Sequence, residues 1–108
     1  MENVKDEAIQ LGDKIQLSGF KVIEQGEMII VKKLVGSQVR KFQEMVPDFE
    51  RLTINLKPVH KTEKSMMYEL HANLIHAGKP LSTETTNRNL FMGLSDMFKH
   101  FESILNKK

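Results

Sequence analysis

A chain of 108 residues, 40% of them hydrophobic, is one domain with a modest core, and without cysteine it can form neither a disulfide nor a thiolate metal site. No apolar run approaches the roughly 18 residues of a membrane span, and the opening MENVKDEAIQLGD is acidic, unlike a signal or transit peptide, so a soluble, cytoplasmic protein is expected. The net charge of +2 is uneven: residues 1–13 carry four acids against one lysine, whereas residues 14–108 carry fifteen Lys and Arg against ten Asp and Glu, an excess of five that can attract a polyanion.

Residues 1–13 are therefore set apart as an acidic N-terminal extension, either a tail or a helical turn packed on a sheet edge with Ile9 and Leu11 buried. Residues 14–108 read as a single domain. From Lys14, KIQLSGF alternates Ile15 and Leu17 with polar residues and ends at Gly19, the pattern of a short strand. From Glu27 to Met45 the apolar residues Val31, Leu34, Val35, Val39 and Phe42 recur three and four apart, which predicts an amphipathic helix stopped by Pro47. RLTINLKPV alternates Leu52, Ile54 and Leu56 with polar residues and predicts a strand ending near Pro58, followed by a basic loop, HKTEK.

SMMYELHANLIH predicts the longest strand, with Met66, Tyr68, Leu70, Ala72 and Leu74 on one face and Met67, Glu69, His71, Asn73 and Ile75 on the other. Ala77 and Gly78 make a tight connection to a last strand in KPLSTETT, with Leu81, Thr83 and Thr85 on its inner face. A final helix starts at Thr86 or Asn87 and puts Leu90, Leu94, Met97, Phe98, Phe101, Ile104 and Leu105 on one face. The order is β-α-β-β-β-α: an α+β fold with two helices on one face of a four-stranded sheet.

On the first helix Lys33, Ser37, Arg40 and Lys41 oppose the apolar arc, with Lys32 at its edge. Lysines on the outer side of a core helix are ordinarily just solvated. Here, however, Glu27 and Glu44 lie near the helix ends, and the middle is a purely positive stripe suited to phosphates. The second helix mixes Lys99, His100 and Lys107 with Asp96 and Glu102. Lys57, His60, Lys61 and Lys64 read as a solubilising hairpin tip.

None of the four histidines is paired three or four residues apart on a helix, and His71 and His76 face opposite sides of a strand, so no metal site is expected. His71 beside Glu69 imitates an acid–base pair, but a solvated sheet face explains both. No phosphate loop, nucleophile elbow or paired-carboxylate pattern is present, and neither an enzyme nor a cofactor is expected. Most of the seven methionines read as core filling, with Met67 and Met92 on outward positions.

Two stretches, IQLSGF with MIIVKKLVGSQVRKF and NLFMGLSDMFKHFESILNKK, together with the element order, resemble the ribosome hibernation-promoting factor (ribosome-associated inhibitor) family over residues 14–108. The resemblance implies a fold similar to double-stranded-RNA-binding domains. It also implies a protein, monomeric when free, that docks on the small ribosomal subunit and its rRNA near the decoding region and obstructs messenger and transfer RNA. Neither a membrane nor a small-molecule substrate is expected. Carried over by position, Lys32, Lys33, Arg40 and Lys41 match the family's first basic helix face, and Lys99, His100, Lys107 and Lys108 fall at or near basic positions of its closing helix. Ser103 and Asn106 stand where the family more usually has basic residues, and the acidic extension is additional. With the sequence ending at the second helix, the resemblance leads to the expectation of a short form without the domain that pairs ribosomes. Two further readings are open: a protein-interaction module using the sheet face or a helix surface, and a general double-stranded-RNA binder.

Overall fold

Stretches with a two-residue apolar period become strands, and the two with a helical period become helices, in a computed structural model that describes residues 9–62 and 65–106, the side chains of residues 60–62 and 65 excepted. The strands are β1 (Ile9–Leu11), β2 (Ile15–Ser18), β3 (Phe49–Thr62), β4 (Ser65–His76) and β5 (Lys79–Asn87). The helices are α1 (Gln25–Met45), entered through a 3-10 turn at Phe20–Val22, and α2 (Leu90–Leu105). One mixed sheet has the order β1-β2-β3-β4-β5, with β2 parallel to β3 and the other neighbours antiparallel.

The fold is α+β with two helices, but the sheet has five strands and not four. The additional strand lies in the stretch read as an extension or a helical turn: Ile9 pairs with Leu17 and Leu11 with Ile15 across a turn in which Gly12 has φ 72°. Three residues are too few for alternation to register as a pattern, which is why the sequence reading missed it.

Strand alternation sorts the sheet into two faces. Leu17, Leu52, Ile54, Leu70 and Leu74 are fully buried on one, beneath Val31, Val35 and Phe42 of α1 and Leu94, Met97 and Phe101 of α2. The partners on the other face are polar and mostly exposed, as in the rows Thr53, Asn73, Ser82 and Asn55, His71, Glu84. Both helices thus cover one face, and Phe42 joins them by edge-on contacts to Phe98 and Phe101, with ring centres 6.1 and 6.2 Å apart.

Boundaries moved where tertiary pairing outweighed a local signal. β3 continues through Pro58 to Thr62, so most of the expected HKTEK loop is strand. Beyond Asn55, the last partner of β2, β3 has an open edge, where a proline's missing N–H removes no ladder bond. α2 starts at Leu90, not near Thr86, because β5 stays paired to β4 as far as Asn87 opposite Tyr68. Asn89 is the cap, its side-chain oxygen accepting from the Met92 N–H at 3.0 Å. Met66, expected inside, is 39% exposed because the β3–β4 hairpin outruns the helices. Among the described residues no helix is long and apolar enough to cross a membrane.

Gly19 closes β2 with φ 81°, and a Cβ there would collide with the Leu56 carbonyl oxygen of β3. Only glycine combines that left-handed backbone with so close an approach. The turn into α1 depends on it.

Candidate nucleic-acid interface

α1 fixes the direction of each cation by its own periodicity. With Met28, Val31, Val35, Val39 and Phe42 buried, residues about half a turn away must face solvent, and Lys32, Lys33, Ser37, Arg40 and Lys41 are all exposed. Among the described residues Lys32, Lys33 and Arg40 make no ion pair. Arg40 borders the groove between α1 and the β1–β2 turn, which also includes Asp13 and Lys14.

Lys41 is different. Its Nζ lies 3.1 Å from Glu102 Oε2 of α2, and the Gln38 side-chain amide donates to the same oxygen at 2.7 Å. The Gln38 hydrogen bond is the main reason the Glu102 carboxyl titrates below the ordinary glutamate range. Burial opposes this, and the Lys41 hydrogen bond, the Lys41 charge and the Lys99 charge reinforce it. Glu102 meets Gln38 and Lys41 across a groove of about 360 Å³ between the two helices, which Leu34 and Ser95 also line.

The sequence reading found no acid in the middle of the α1 stripe, which is true of α1 itself. The acid that enters the stripe comes from the neighbouring helix. Glu102 was visible on the polar arc of α2, but the register that brings it to Gln38, 64 residues away in sequence, is set by core packing and has no local signature. Lys99 borders the same groove and joins the α1 surface.

His100 lies on the other flank of α2. Its Nδ1 is hydrogen-bonded to the Thr83 hydroxyl of β5, and Thr83 is the buried polar side chain of the described core. The imidazole therefore pins α2 to the sheet, and the basic residues of α2 divide between two directions. Lys107 and Lys108 lie outside the described residues.

On the open sheet face His71 sits between two carboxylates, Nε2 3.3 Å from Glu69 Oε1 and Nδ1 3.7 Å from Glu84 Oε1, with its side chain 47% exposed. His76 Nδ1 lies 3.9 Å from Asp48 Oδ1 near the opposite end of the strand. Among the described residues no group of three or more His, Asp or Glu side chains could hold a metal ion.

Two further features escaped the sequence reading. Ile29 and Ile30 stand 58% and 50% exposed on α1, directly before the basic stripe, and Val22 is 64% exposed in the turn that leads into the helix. Compared with known proteins, the chain matches no protein-family model and no curated sequence.

Proposed function

We propose that this protein is a ribosome-binding inhibitor of the hibernation-promoting type, with a fold related to double-stranded-RNA-binding domains, acting in the cytoplasm by docking on the small subunit near the decoding region. The observation that carries the reading is the outer face of α1, where Lys32, Lys33 and Arg40 are exposed and, among the described residues, have no acidic partner. Lys33 and Arg40 are seven residues apart, about 10 Å along the helix axis, so they reach separate phosphates of an rRNA backbone. Inhibition needs no chemistry: a body with principal extents of 45 × 31 × 23 Å obstructs a channel that messenger and transfer RNA must share.

Lys41 and Lys99 take the second place in this scheme because Glu102 neutralises part of their charge, and His100 is committed to Thr83. Cosedimentation with purified small ribosomal subunits at rising salt tests the proposal. Binding should be strong at low salt and fall linearly in log–log form as cations compete. Absence of binding at low salt would refute it.

A further inference from the structure

We propose that the cleft between the start of α1 and the β3–β4 hairpin is a docking site for a short peptide segment in which an apolar side chain neighbours lysine or arginine. One wall is the chain entering α1, with Val22, Glu24 and Glu27; the other is the inner face of the hairpin beyond the helices, with Pro58, Met66 and Tyr68. Buried Ile23 borders it as well, and the enclosed volume is about 460 Å³.

Exposed apolar side chains from both walls contribute to the cleft. The large exposed hydrophobic residues of the described chain are Val22, Ile29, Ile30, Met66 and Met92. Val22 and Met66 come from separate elements and both line the cleft. Ile30, half exposed, lies three residues after Glu27 and four before Leu34, so it extends the same flank of α1 toward the groove between the helices. Two elements thus present apolar side chains to one opening, an arrangement unlike the singly scattered hydrophobic residues of an ordinary surface.

The carboxylates decide the chemistry of the occupant. Glu24 and Glu27 are exposed and among the described residues have no ion pair. The helix dipole favours acids in a first turn, which accounts for Glu27 by itself. It does not account for the apolar cleft over which both stand. Their field repels phosphate and attracts an ammonium or guanidinium group, so nucleic acid is disfavoured and a basic peptide with an apolar anchor is complementary. The cleft sits at the opposite end of α1 from Arg40 and Lys41, and this proposal does not depend on ribosome binding.

The test is an NMR titration of the full chain, reading methyl and amide shifts, with three hexapeptides: two leucines flanking Lys-Arg, the same leucines flanking Glu-Glu, and serines flanking Lys-Arg. The first should give saturable shifts at Val22, Ile23, Ile30 and Met66, and the other two should not. Glu24→Lys with Glu27→Lys should weaken the first peptide about tenfold. Val22→Ser, which leaves the helix terminus untouched, should weaken it as well. Equal response to all three peptides, shifts confined to the Lys33–Arg40 face, or no response at all would overturn the proposal. So would cleft shifts that track protein concentration without peptide, which would assign the opening to a second copy of the chain.

Discussion

Gly19 and Glu102 show how single residues do work that composition conceals. Replacing Gly19 with alanine puts a Cβ against the Leu56 carbonyl oxygen and forces a positive φ on a residue that resists it. The expected cost is about 2 kcal/mol or more, read as a lowered midpoint in denaturant or thermal unfolding. Glu102 links stability to pH. Its carboxyl titrates lower in the folded chain than in the unfolded one, so its contribution is fully present above the ordinary glutamate pKa and is lost as pH falls through the depressed folded value. Glu102→Gln should remove about 0.5–1 kcal/mol at neutral pH. The difference from the parent should vanish in acid, as followed by unfolding curves taken at decreasing pH. Neither role was legible beforehand: Gly19 read as ordinary strand punctuation, and Glu102 as one of several solvated residues on a mixed helix face.

At the scale of elements, α1 separates folding from recognition by assigning them to opposite sides of one cylinder. The buried side comprises Met28, Val31, Val35, Val39 and Phe42, and the sequence reading identified all but Met28 from spacing alone. Reversing Lys33 and Arg40 to glutamate should therefore leave the circular-dichroism spectrum and unfolding midpoint nearly unchanged. Cosedimentation with small subunits should weaken, and the salt slope should fall by about 1 for each phosphate that is no longer neutralised. A loss of helical signal in that variant would show that the two residues serve the fold instead. The elements that the sequence misplaced share one physical cause. The ends of β3 and β5 were read from local signals, Pro58 and the Thr-Asn run, yet both strands continue because a neighbour across the sheet supplies hydrogen bonds that the local sequence does not encode. The exposure of Met66 follows from the same extension of the β3–β4 hairpin.

Across the whole molecule, class and layering were readable because the apolar period changes sharply between strands and helices, and most residues placed in the core by that period are there, while Leu34, Tyr68, Leu81 and Leu105 are only partly buried against it and Met66 is exposed. The fifth strand was not, since Ile9–Leu11 becomes a strand only when β2 is beside it. The distribution of charge also needed three dimensions. Spacing identified a positive stripe on α1. Only the packing of α2 reveals that Glu102 occupies one end of it, while Glu24 and Glu27 border an apolar opening at the other. The result is a surface graded along one helix, with cations from its middle to Lys41 and carboxylates with hydrophobic side chains at the start.

The single parallel pairing in the sheet has a kinetic consequence. β3, β4 and β5 are consecutive and antiparallel, so they can zip together through short connections, whereas β2 reaches β3 only after the intervening 21-residue helix has crossed the sheet. The β1–β2 ribbon should be the last part to form and the first to open. Native-state hydrogen exchange should place the amides of Ile9–Ser18 in a less protected cooperative unit than those of Leu70–Leu74, and equal protection of the two would show that the sheet closes in one step. Because Gly19 and the turn into α1 adjoin that edge, the same order predicts that the opening beside Val22 takes shape in the final stage of folding.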